Sequence, residues 1–217
     1  ALLRWSDDLI EGSSVSASPE QMLRAATAFE EYAAYHRHVA ADRRAAPRDD
    51  MMSALVHAEI DGQRLDDEAI LQESLLILVG GDETTRHVIT GGMEALLLHP
   101  GEAEKLVADP SLVPTAVEEM LRWVTPIQNM NRTATRDVEI GGTTIRAGDK
   151  VLPLYPSANR DDAVFASPDE FHVDRQPNEH LSFGHGAHFC LGASLARIEL
   201  RVMFETLRPW LPYVRLA

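Results

Sequence analysis

The chain has one cysteine in 217 residues, and one thiol cannot close an internal disulfide. That excludes a disulfide-stapled scaffold and makes a reducing cytoplasm the expected compartment. Basic residues are also scarce: 20 Lys and Arg stand against 34 Asp and Glu, a formal charge of −14. A surface of that sign repels a phosphate backbone, which excludes general nucleic-acid binding but not a local basic patch. Long apolar runs are missing. The longest, LLILV at 75–79, is far short of the ~20 residues of a membrane span. The opening ALLRWSDDLIEG has no basic stretch followed by an apolar one and a small-residue cleavage site, so no secretion signal is expected. Repeats, low-complexity tracts and an interdomain linker are absent too. What remains, 45% hydrophobic and 25% charged, is ordinary globular composition, long enough to bury a core. A single unit over 1–217 is expected.

The apolar periodicity is mostly helical. ALLRWSDDLI reads as the middle of a helix with no cap before it, as if the chain were cut there. Ser18 as N-cap, Pro19 at the first helical position and Gln21 three residues past the cap predict a second helix to about Arg44, stopped near Pro47. DDMMSALVHAEIDGQRL gives a short helix and a turn at Asp61-Gly62. The longest periodic segment runs from Asp67 to His99, roughly 50 Å if continuous. GGDETT at 80–85 is expected to interrupt it. Helices at about 101–108 and 114–123 follow. DVEIGGTTIRAGDKVLPLY then alternates with period two around a Gly-Gly turn, as hairpin strands do. The next stretch, 156–180, is turn-rich and irregular, and a last helix is expected from about Cys190 to Leu207. The class is mostly α with a small β portion.

The lone thiol lies in FGHGAHFCLG, residues 183–192. A dinucleotide fingerprint fails there, because Phe189 stands at the third glycine position. His185, His188 and Cys190, with His180 nearby, are suitable zinc ligands in type, but their spacing fits no common finger. A cysteine nucleophile paired with His188 lacks a readable oxyanion arrangement. A buried structural cysteine is the plain alternative.

The fourth reading is a haem-thiolate loop. Phe183, Gly184, Gly186, His188, Cys190 and Gly192 match F-G-x-G-x-H-x-C-x-G, and this resembles the axial-ligand signature of the cytochrome P450 family. A helix N-terminus behind Cys190 favours a thiolate, and glycines let the backbone approach the sulfur closely. The resemblance makes Cys190 the ligand of the haem iron, Phe183 its cover from water, and His188 a contact of a haem propionate. GGDETT resembles the family's oxygen-activating helix segment: Gly80 and Gly81 would leave room for O2, Thr84 would hold the hydrogen-bond network and Glu83 would deliver protons. EEMLRW supplies Glu119 and Arg122 at the E-x-x-R spacing, and DEFHVDR supplies Phe171 and Arg175. The resemblance implies that Glu119, Arg122 and Arg175 form a structural cluster. NMNRTATRD resembles the segment that sends an arginine, here Arg132, to a propionate, with Asn129 and Met130 on the substrate side.

The resemblance covers essentially the whole chain and implies the C-terminal, haem-binding part of the cytochrome P450 fold, with the N-terminal half absent. The stretches LRWSDDL, LLILVGGDETTRH, EEMLRW and HFCLG are most like the actinobacterial steroid 26/27-monooxygenases. It implies haem b, iron protoporphyrin IX, as cofactor and insertion of one oxygen atom from O2 into a C–H bond of a hydrophobic small molecule, with a steroid side chain as the candidate substrate. Electrons would come from a ferredoxin and its reductase. Arg197 and Arg201 on the last helix suggest a basic docking patch, with a solvated helix face as the alternative. A haem-binding or structural fragment without turnover is the alternative function.

Overall fold

A computed structural model describes residues 1–14 and 16–216. The chain divides into two compact units, Ala1–Glu83 and Thr84–Ala217, and the boundary falls inside one helix.

The first unit holds α1 (Leu2–Ser13), α2 (Pro19–Ala45), α3 (Met51–His57), a two-strand hairpin and the first half of α4 (Asp67–Leu98). The predicted capping box is present: the Ser18 hydroxyl accepts from the Gln21 N–H while the Gln21 side chain accepts from the Ser18 N–H. Small residues on α2 (Ala28, Ala33) let Trp5, Tyr32 and Leu71 close over them as a core. The buried Tyr32 hydroxyl donates to Ser74 Oγ at 2.8 Å, which satisfies it without water. The turn at Asp61-Gly62 joins β1 (Glu59–Ile60) to β2 (Gln63–Arg64); the sequence showed the turn but not the strands.

α4 is continuous through 80–85, so GGDETT does not interrupt it. Each interior glycine costs about 1 kcal/mol relative to alanine. The strongly helical sequence on both sides outweighs that cost, because propagation adds a bond per residue once a helix is nucleated.

The second unit contains the rest of α4, α5 (Pro100–Ala108), α6 (Val113–Val124), a one-turn α7 (Tyr155–Ala158) and α8 (Ala193–Leu207). Its core joins Val88, Ala95 and Leu96 of α4 to Val117, Met120 and Leu121 of α6 and to Leu200 and Phe204 of α8. Gly91 and Gly92 make the α4–α6 approach possible. A Cβ on either would lie 2.8–2.9 Å from Val124 or Met120, inside van der Waals contact. Two antiparallel pairs complete the unit. β4 (Val138–Ile140) pairs with β5 (Thr143–Ile145) across Gly141-Gly142, and β3 (Arg132–Thr133) pairs with β6 (Lys150–Val151). Among the described residues no helix is long and apolar enough to cross a membrane.

Residues 159–182 have almost no regular structure, so their carbonyls need partners from elsewhere. Two arginines supply them. Arg122 donates to the carbonyls of Asn159, Pro168 and Glu170, and Arg175 to those of Ala166, Ser167 and Glu170.

Candidate functional site

The charge that holds those arginines is Glu119, fully buried on α6. Arg122 Nε and Nη2 each donate to it at 2.8 Å, and Arg175 Nε donates at 3.0 and 3.1 Å. The His172 N–H and the Asn178 amide add bonds of 3.0 and 3.1 Å. Glu119, Arg122 and Arg175 therefore meet in one cluster, and every N–H of the Arg122 guanidinium is engaged. Such a cluster orders an irregular segment through fixed, desolvated hydrogen bonds rather than apolar packing. Phe171 is also buried, against Trp123 and His99 at centroid distances of 5.6 and 5.5 Å.

The ordered meander delivers the thiol loop. Fully buried Asn159 accepts from the Leu181 N–H at 2.7 Å and donates to Ser182 Oγ and to Thr125 Oγ1. Ser182 Oγ in turn donates to the Leu121 carbonyl at 2.6 Å. These bonds fix the chain just before Phe183 to the C-terminal end of α6.

Within the loop, Gly184 and Gly186 have φ of 71° and 69°, a left-handed backbone open to glycine at no steric cost. The Cys190 N–H donates back to the Phe183 carbonyl at 2.9 Å. α8 starts at Ala193 with Gly192 as its N-cap, a few residues past the start expected at about Cys190. The thiol thus precedes the helix, whose first-turn amides lack intrahelical partners. A Cβ on Gly192 would stand 3.9 Å from Cys190 Sγ, so the backbone passes close to the sulfur. Among the described residues Cys190 is exposed, unlike a buried structural cysteine. Phe183 and Phe189 pack edge to face at 6.2 Å. His188 is exposed in a short 3-10 turn, Gly186–His188. His180 is turned away to Glu118, at 3.1 Å. Among the described residues the loop histidines and Cys190 do not gather as metal-ligating groups do, so the zinc reading has no geometry.

The other sequence-predicted residues lie on separate elements. Arg132 is exposed on β3, and its guanidinium donates to the carbonyls of Met130 and Asn131 at 3.4 and 3.1 Å. Gly81 and Glu83 belong to the first unit and Thr84 to the second. A Cβ on Gly80 or Gly81 would meet nothing within 4 Å, so packing among the described residues requires neither glycine. The Glu83 carboxylate comes within 4.8 Å of those of Asp7 and Asp82.

Arg197 is not a free docking cation. Its guanidinium donates to Glu118 in a fork, Nε to Oε1 at 2.7 Å and Nη2 to Oε2 at 2.8 Å, and lies 4.7 Å from the Phe183 ring centroid. Arg201 alone of the two faces outward. Burial works against the Glu118 carboxylate, but hydrogen bonds from Arg197 and His180 outweigh it and pull its pKa down to about 2. Sequence reasoning missed Glu118, Asn159, Thr125 and Ser182, and read His180 only as a neighbour of possible zinc ligands. The one available signal was the doubled acid, Glu118 directly before Glu119.

A family model described as Cytochrome P450 matches residues 13–207. The chain is 50% identical over 216 residues to a protein named Steroid C26-monooxygenase from Mycolicibacterium smegmatis, covering 100% of this chain and 54% of that protein. It is 50% identical over 183 residues to a Methyl-branched lipid omega-hydroxylase from Mycobacterium bovis, covering 83% and 43%. Among solved structures it is similar to P450BioI in complex with an acyl carrier protein ligated to hexadec-9Z-enoic acid. That match has a TM-score of 0.93 and 38% identity, and covers 100% of this chain and 56% of that one. The chain spans about half the length of the curated relatives it matches.

Proposed function

This chain belongs to the cytochrome P450 family, and from that premise we propose that it forms the haem-binding part of a monooxygenase inserting one oxygen atom from O2 into a C–H bond of a hydrophobic substrate. The observation that carries the reading is the exposed Cys190 thiol at the head of α8, in a loop tied down before and behind it. The loop's chemistry fits a thiolate-bound haem. It offers a soft sulfur donor, glycines that keep side chains off the backbone near it, and exposed apolar neighbours in Phe189 and Leu191, suited to an apolar macrocycle.

When bound, haem b supplies the redox chemistry that activates O2. The chain's own residues do the rest. Cys190 holds the iron through its thiolate. Phe183 keeps water from the sulfur, and Gly184 and Gly192 let the backbone lie close. His188 and Arg132 offer donors for the haem carboxylates. On α4, Gly81 leaves space beside the helix, Thr84 holds a hydrogen-bond network and Glu83 relays protons. The substrate class is a steroid side chain, on the strength of the 50% identity to a steroid monooxygenase; a methyl-branched lipid is the competing choice, on the second relative. Electrons come from a ferredoxin and its reductase.

The test is the absorption spectrum of the purified chain after haem supplementation, reduction and addition of carbon monoxide. A long-wavelength Soret band supports thiolate ligation by Cys190. A short-wavelength band, with haem bound but the thiolate lost, would overturn that assignment. No haem uptake would favour a second reading suggested by the half-length span: a piece that does no chemistry by itself.

A further inference from the structure

Glu118 and Arg197 have no part in the chemistry so far, yet they form an ion pair directly behind the thiol loop. Glu118 sits on α6 beside Glu119. Glu119 turns to the meander, while Glu118 turns to both ends of the loop. On the entry side it meets His180 Nε2 at 3.1 Å. The Ser182 N–H donates to His180 Nδ1 at 3.2 Å, which makes Nε2 the protonated nitrogen and the donor to Glu118. On the exit side it takes the Arg197 fork from the second turn of α8. The same guanidinium lies against Phe183, whose carbonyl accepts the Cys190 N–H.

We propose that Glu118 and Arg197 are positioning residues of the thiol site: the pair clamps Phe183 beside Cys190 and, through its two opposite charges, sets how readily the bound metal is reduced. This rests on the reading of Cys190 as the metal's ligand. The Arg197 cation draws negative charge from the thiolate and so favours the reduced metal; the Glu118 carboxylate opposes it. The side chains of Glu118 and Arg197 are only 25% and 30% exposed, so solvent screens them incompletely. Supporting this, the Arg197 guanidinium is held above its usual range by the Glu118 hydrogen bond, against burial.

The experiment is an equilibrium redox titration of the haem-loaded protein as wild type, Glu118→Gln, Arg197→Met and Arg197→Lys. At a fixed ambient potential the ratio of reduced to oxidised metal should fall about threefold or more in Arg197→Met and rise by a similar factor in Glu118→Gln. Arg197→Lys keeps the charge and should stay near wild type. Should Arg197→Met fail to fold, a rise in Glu118→Gln with Arg197→Lys near wild type still decides the matter. Unchanged ratios, or shifts of one sign in both charge-removing variants, would overturn the inference alone. A wild type without the long-wavelength carbon-monoxide band would overturn the ligand assignment and this inference with it.

Discussion

Replacing Glu119 with Gln tests the buried cluster most directly, because the shape survives while the charge does not. Both carboxylate oxygens accept from Arg122 and from Arg175, and each takes one further donor, the His172 N–H or the Asn178 amide. Whichever way a glutamine amide is turned, its NH2 faces donors of both guanidiniums. Two cations then remain buried with no counter-charge, since Arg122 is fully buried and Arg175 is 9% exposed. Breaking such a pair from one side costs about 3–5 kcal/mol, a large part of the ~5–15 kcal/mol that holds a domain folded. The assay is urea unfolding of the haem-free chain followed by Trp123 fluorescence, with Trp5 and Trp210 replaced by Phe in wild type and variant alike. Trp123 lies 5.8 Å from the Arg122 guanidinium and reports on this unit alone. At a slope of about 2 kcal/mol/M the midpoint should drop by roughly 1.5–2.5 M. A drop under about 0.5 M would refute the reasoning, since it would mean that water or another anion compensates the arginines.

Glu118 gives a pH dependence. Its pKa falls from 4.5 in the unfolded chain to about 2 in the fold; a depressed carboxylate stabilises fully above the unfolded value and loses that contribution as pH drops from about 4.5 toward 2. The amount is on the order of 3 kcal/mol, and urea midpoints taken across that window should show Glu118→Gln less acid-sensitive than wild type. Glycine substitutions should separate by location. Gly81→Ala, with open space around its Cβ, should raise the thermal stability of the haem-free chain by up to about 1 kcal/mol. Gly92→Ala, with its Cβ 2.9 Å from Met120, should lower it by about 1–2 kcal/mol. Cys190→Ser removes an exposed thiol, so chemical unfolding of the haem-free chain should shift by less than about 0.5 kcal/mol, while the long-wavelength carbon-monoxide band disappears. Thr84→Ala should raise the consumption of electrons per product formed; an unchanged ratio would remove Thr84 from proton delivery.

Features that depend on short-range order were legible before folding. The Ser18 capping box, the Gly-Gly hairpin at 141–142 and the glycine-spaced thiol loop are each set by a few adjacent residues whose backbone preferences need no distant partner. E-x-x-R and F-x-x-x-R were legible as spacings, since Glu119 and Arg122 are neighbours on one helical face. Local signals misled where a longer range prevailed. Glycines at 80 and 81 marked a break, yet the hydrogen-bonded helix on both sides carries α4 through them. The head of α8 lies at Ala193, past the loop that the Cys190 N–H closes onto the Phe183 carbonyl. Long-range packing set the remainder. It turned Arg197 inward to Glu118, where its position on α8 had suggested a docking surface. It also made Asn159, in a stretch with no readable pattern, the tie between the meander, α6 and the thiol loop. A buried hydrogen bond joins residues far apart in the chain, and its partners are chosen by which unsatisfied donors and acceptors the folded backbone brings together. That information exists only once the chain is folded.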